Sequence, residues 1–138
     1  KKIQEFYGEY QGFVVLQTWN NMDYLSSCLS FMIEDLCKPI IFTGGRIPLE
    51  ESHCDLIGNF TEACFIAGAF EIPEVCILCN KKLMRANRTV LVQPDSVDAF
   101  YSPNFKILGH TNARLKIEWS NIRKKPPGHD SSICLIDN

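Results

Sequence analysis

The apolar positions in the N-terminal third of the chain switch between a helical spacing and short unbroken runs. Ile3, Phe6, Tyr7 and Tyr10 recur at helical intervals and predict a helix over residues 2–10, closed by Gly12. Phe13-Val14-Val15-Leu16 is a continuous apolar run, the pattern of a strand covered on both faces. Tyr24, Leu25, Cys28, Leu29, Met32, Ile33 and Leu36 return to the helical spacing and predict a helix of roughly four turns. After Pro39, Ile40-Ile41-Phe42 predicts a second buried strand that ends in Thr43-Gly44-Gly45.

The same alternation continues. Ile57, Phe60, Cys64, Phe65 and Ala67 to Ala69 predict a helix from Leu56 to Phe70, with Asp55 as its N-cap. Val75 to Cys79 reads as a strand and Asn80-Lys81 as a turn into Leu83 to Arg85, with Thr89 to Val92 extending the strand-like character, a part expected to form a hairpin. Pro94 to Pro103 is rich in turn residues, with one helical turn expected over Val97 to Phe100. Ala113, Leu115, Ile117 and Trp119 alternate as a strand with one buried face, and Ser132 to Ile136 reads as a last strand in a tail over residues 124–138. Alternating strands and helices predict an α/β fold with a mainly parallel sheet, helices on both faces and right-handed crossovers. Ligands in such folds gather beyond the C-terminal ends of the strands, here Gln17 to Asn21 and Thr43 to Arg46.

Composition adds limits rather than chemistry. The chain has 138 residues, 46% hydrophobic and 22% charged, which suits one domain with its own core. A net charge of −2 argues against direct nucleic-acid or anionic-membrane partners. No apolar run approaches the ~20 residues of a membrane span, and KKIQEFYGEY has no signal core, so an intracellular protein of cytoplasm or nucleus is expected. The seven cysteines, an odd number, read as reduced thiols. Cys76 and Cys79 lie three apart on a strand and face opposite ways, so no metal is expected, nor any cofactor.

Three stretches carry a family resemblance: GFVVLQTWNNMDYLSSCLSFMIEDLCKPIIFTGGRIPL (Gly12 to Leu49), IPEVCILCNKKLMRANRT (Ile72 to Thr89) and DAFYSPNF (Asp98 to Phe105). Their order and spacing resemble the N-terminal domain of bacterial-type cytosolic L-asparaginases. That family writes a GFV-(I/L)-HGTDTM strand and loop, an ALSFM helix, a KP-(V/I)-(I/V)-TG-x-QIPL strand, a hairpin ending in RGNR and a DAF-x-SPN turn. The resemblance implies the asparaginase fold, truncated at its N-terminal strands, over residues 1–138 as one module of a larger protein.

It also implies where chemistry is altered. The family uses a nucleophilic Thr on an early loop and a second Thr activated through an Asp and a Lys. Matching by position puts Trp19 at that second Thr, Asn20 at the Asp and Leu91 at the Lys. Trp has no hydroxyl, Asn cannot serve as a carboxylate base, and Leu carries no charge. Gln17 and Asn21 replace further loop residues, while Asp55 and Asn59 match family positions. These changes predict no catalytic residues and a degenerate domain that is not an enzyme, serving protein interaction, with itself as a homodimer or with another protein. A non-hydrolysing amino-acid sensor is the alternative, and an amidohydrolase completed by residues outside this chain is a third reading. Gln17, Trp19, Asn20, Asn21, Arg46 and Asp55 are the candidate interaction or ligand loop residues.

Overall fold

The structure, a computed structural model, describes residues 1–127 and 133–135. In chain order the helices are α1 (Lys2–Glu5), α2 (Met22–Met32) and α3 (Leu56–Ala69). The strands are β1 (Phe13–Leu16), β2 (Ile33–Glu34), β3 (Ile40–Thr43), β4 (Val75–Cys79), β5 (Lys82–Arg85), β6 (Val90–Leu91), β7 (Phe100–Tyr101), β8 (Gly109–Thr111), β9 (Leu115–Ile117) and β10 (Cys134–Leu135).

The expected α/β sheet is present, and it has two halves. Six strands run in the order β1-β3-β4-β5-β8-β9. The first three are parallel, with Phe13 opposite Ile40 and Ile40 opposite Val75. The last three extend the sheet antiparallel from β4. Every residue of β3 and β4 is buried, as unbroken apolar runs in the middle of a covered sheet require. Two cores result, one on each face. On one side Met22 and Leu29 of α2 pack with Ile40, Phe42, Ile77 and Phe100. On the other, Ala63, Ile66 and Ala67 of α3 pack on Ile41, Cys76, Leu78 and Leu83. Cys76 and Cys79 thus enter different cores, as their spacing predicted.

Several predicted boundaries shift. The first helix stops at Glu5, and Tyr7 instead becomes a fully buried anchor whose hydroxyl accepts from the Cys37 and Lys38 backbone N–H groups. Lys38 completes the clasp by donating Nζ to the carbonyls of Tyr7 and Tyr10, at 2.5 and 2.9 Å. The helix expected to reach Leu36 ends at Met32, because Ile33 turns extended and pairs with Leu135 of β10. The helical turn expected near Phe100 is strand β7, paired with β6. Trp119 leaves the β9 alternation for a short 3-10 turn. Of the expected last strand, Cys134 and Leu135 are in β10, while Ser132 and Ile136 lie outside the described residues.

The β4–β5 connection has two residues, Asn80 and Lys81, between the opposed pair Cys79 and Lys82. Both have positive φ, 45° and 62°, the left-handed geometry of a type I′ turn. Asn tolerates that region better than most residues, whereas Lys there crowds its Cβ against the backbone, a strain of about 1–2 kcal/mol. Lys81→Gly should therefore stabilise the fold by about 1 kcal/mol, read as a higher midpoint in urea unfolding.

Burial also sets thiol reactivity. Burial is the main cause that raises the Cys79 pKa to about 12, and burial aided by the Glu74 charge raises that of Cys76 well above its ordinary value. A raised folded pKa favours the protonated thiol, so for Cys79 this stability is fully present below the unfolded value near 9 and is lost progressively as pH rises toward about 12. At pH 8 a thiol-reactive dye should label exposed Cys28 and Cys64 quickly, and Cys76 and Cys79 only on unfolding.

Candidate functional site

A cleft of about 280 Å³ opens beyond the C-terminal ends of β1 and β3, lined by Thr18, Trp19, Asn20, Gly45, Arg46, Leu91 and Pro94. Its position is the one the strand pattern predicts for an open α/β sheet. Two glycines make it. A Cβ on Gly44 would lie 2.1 Å from the Gln17 carbonyl oxygen, and one on Gly45 would lie 2.5 Å from Leu56 Cβ. A side chain at Gly44 would push the β1 and β3 loops apart, and one at Gly45 would push the β3 loop away from the start of α3.

Polar groups hold the same loops. Asn59 on α3, 5% exposed, donates its side-chain N–H to the Gly44 carbonyl at 2.9 Å. Asp55 does not cap α3 with its side chain, contrary to expectation. Its carboxylate reaches back and accepts from the backbone N–H groups of Arg46 and Ile47 at 2.9 to 3.1 Å. That contact fixes the loop after β3, so Asp55 supports the cleft without lining it. The sequence signal for this was an Asx residue near two glycines, which by itself does not identify the bond.

Trp19 forms the floor. It is 5% exposed and meets Phe100 edge-to-face, with ring centroids 5.7 Å apart. Its indole Nε1–H has no hydrogen-bond partner among the described residues. Thr18 and Asn20 on either side are exposed, and Asn21 starts α2 with φ of 61° and no side-chain cap. Gln17 stands outside the lining and donates to the Asn20 carbonyl at 3.4 Å. Leu91 closes the far wall, positioned by its backbone N–H bond to the Asp23 carboxylate at 3.1 Å. Arg46 presents a half-exposed guanidinium whose partner, Asp95 at 3.0 Å, is 92% exposed. Such a solvated pair contributes little and leaves the cation available to an anionic ligand. The structure brings Trp19, Asn20, Arg46 and Leu91 together and leaves Gln17, Asn21 and Asp55 as supports. Thr18 lies within the predicted Gln17 to Asn21 segment though it was not singled out there, and Pro94 was missed from the sequence. Among the described residues, no group of three or more His, Cys, Asp or Glu side chains is placed to hold a metal ion, and no helix is long and apolar enough to cross a membrane.

The profile of the family described as Asparaginase, N-terminal matches residues 1–123. The chain belongs to the asparaginase family. It is 40% identical over 126 residues to an L-asparaginase of Dirofilaria immitis, covering 91% of this chain and 21% of that protein. It is also 40% identical over 131 residues to L-asparaginase 1 of Escherichia coli K12, covering 95% of this chain and 38% of the relative. The crystal structure of L-asparaginase I from Vibrio cholerae superposes with a TM-score of 0.86 at 33% identity, over 97% of this chain and 40% of that one. The chain thus spans well under half the length of these relatives.

This kinship corrects the expectation that the domain is not an enzyme. Relatives 40% identical to it across more than nine tenths of its length are named L-asparaginases. Most of each relative lies outside the matched region, so side chains at three positions of one cleft are a poor guide to the activity of a whole asparaginase-family protein.

Trp19→Ala should cost about 3–5 kcal/mol of stability through the cavity it leaves, measured by chemical denaturation. Trp19→Phe keeps the ring against Phe100 and removes an unpartnered N–H, so its cost should be under about 1.5 kcal/mol.

Proposed function

We propose that this domain forms the cleft of an L-asparaginase-type amidohydrolase, which hydrolyses the side-chain amide of a small amino acid. The observation that carries the reading is the cleft over Trp19, bounded by Thr18 and Arg46 at the C-terminal ends of two parallel strands, in a chain 40% identical to L-asparaginases. Amide hydrolysis needs a nucleophile, a base and donors for the developing oxyanion. Thr18 carries the one hydroxyl among the residues lining the cleft, and Arg46 supplies a cation for a substrate carboxylate. Trp19, Asn20 and Leu91 then act as walls: they exclude water and strengthen electrostatic contacts with the substrate.

The remaining groups come, in this reading, from residues outside 1–138. The sheet offers a place for them. β1 uses the N–H groups of Phe13 and Gln17 to bond its neighbour β3, so the alternate backbone groups at Gly12, Val14 and Leu16 face the other edge. That edge has no strand partner among the described residues. A strand added there would deliver its own C-terminal loop beside Thr18 and Trp19. Pairing of two copies stands beside this activity as a second reading, favoured by the uncharged outer face of α2.

The test is ammonia release from L-asparagine by the full-length protein. Release above the buffer blank is expected, and Arg46→Ala should raise KM about tenfold with kcat little changed. A full-length protein that frees no ammonia from asparagine or glutamine would sink the proposal.

A further inference from the structure

Trp19 brings a donor to the cleft as well as a floor. The residue is 5% exposed, and its Nε1–H is buried with no hydrogen-bond partner among the described residues. A buried donor in that condition is a standing cost, and in native proteins such groups have a reason to be there. The polar side chains around it are engaged elsewhere. Asn59 donates to the Gly44 carbonyl, Asp55 accepts from the backbone N–H groups of Arg46 and Ile47, and Gln17 donates to the Asn20 carbonyl. An indole N–H can only donate, so whatever completes it carries an acceptor.

Gly44 gives the direction of that donor. A Cβ built on Gly44 would lie 3.2 Å from the indole Cδ1, the carbon bonded to Nε1. The N–H edge of the ring is therefore turned toward the Gly44-Gly45-Arg46 loop, and Gly45 and Arg46 line the cleft together with Trp19. The Arg46 guanidinium is held on its far side only by the solvated carboxylate of Asp95, a weak tie. None of the seven lining residues is Asp or Glu, so an anion meets no like charge on the walls.

We propose that Arg46 and the Trp19 Nε1–H together form a carboxylate-binding subsite, with one ligand oxygen on each. The proposal deepens the amidohydrolase reading and rests on the place that reading gives to Arg46. A carboxylate has two oxygens in one plane, so a single anion satisfies a fixed indole donor and a planar guanidinium at once. Trp19, Leu91 and Pro94 surround the pair with apolar surface, which strengthens both bonds relative to open solvent. A small displacement of the Gly44-Gly45 backbone opens the N–H to the cleft, and two glycines have no side chains to carry along. Trp19 is then a substrate-binding residue that moves no proton, and its ring stays against Phe100.

The indole 15N–1H signal of Trp19 in the full-length protein, identified by its absence from Trp19→Phe, reads this bond directly. Titration with L-aspartate should move it downfield along a saturable curve. In Arg46→Ala, a change at a half-exposed side chain, the same shift should need about tenfold more aspartate. Trp19→Phe should raise KM for L-asparagine about tenfold and leave kcat within about twofold. Inorganic phosphate at the same concentrations should move the signal far less. A Trp19 signal that ignores aspartate, or answers it equally in Arg46→Ala, overturns the subsite even where ammonia release stands. An equal response to phosphate overturns the choice of a carboxylate. A saturable shift in a protein that frees no ammonia supports the subsite and sinks the amidohydrolase reading.

Discussion

The buried ion pair between Glu74 and Arg85 ties the start of β4, the end of β5 and the segment after β9 to one point, beside the β4–β5 ladder that joins the two halves of the sheet. Glu74, 4% exposed, stands just before β4, and Arg85 ends β5. The carboxylate accepts from Arg85 through both oxygens and from the Arg123 backbone N–H, while Arg85 also donates to the Asn121 carbonyl at 3.0 Å. Phe105 covers the guanidinium at 4.1 Å from its ring centroid. Burying two charges is costly, and only such dense bonding offsets it; losing either partner would leave the other stranded at about 3–5 kcal/mol. The pair is thus less a source of net stability than a condition on geometry. Parallel strands, hairpin and the segment after β9 satisfy it together only in the observed arrangement.

With that frame set, the cleft follows from short-range constraints. The β1 and β3 loops approach too closely for any side chain at Gly44, the start of α3 comes too close for one at Gly45, and α3 reaches across with Asn59 and Asp55 to hold the second loop from behind. Trp19 then has one place to go, against Phe100 beneath the opening. Its edge-to-face contact with Phe100 is the packing that holds the ring there. The shape of the opening is kept by glycine, asparagine and aspartate in the loops behind it.

Legibility in the sequence tracked the range of the forces involved. β1, β3 and β4 were readable because two-sided burial demands unbroken apolar runs, a signal contained in each segment. The end of α2 was not, since Ile33 has helical spacing and leaves the helix only to meet Leu135, a partner about a hundred positions away. Phe100 was likewise drawn into a strand by Leu91 rather than by its neighbours. The cleft was located correctly from the strand ends, yet the role of Asp55 was misread, because a side chain before a helix can cap it or reach backwards and local sequence does not separate the two. Family resemblance supplied the fold over nearly the whole chain. It was overread when three positions were taken to make the domain a non-enzyme, against relatives named L-asparaginases.

The free edge of β1 bears on how this chain survives in solution. Natural sheets blunt their edges with lysine, proline or a bulge, and Phe13 to Leu16 has none of these. An extended apolar peptide that meets Gly12, Val14 and Leu16 finds a row of unsatisfied backbone groups ready to template it. A strand laid along this edge would therefore do two things at once, completing the sheet and blocking the pairing that leads to aggregation.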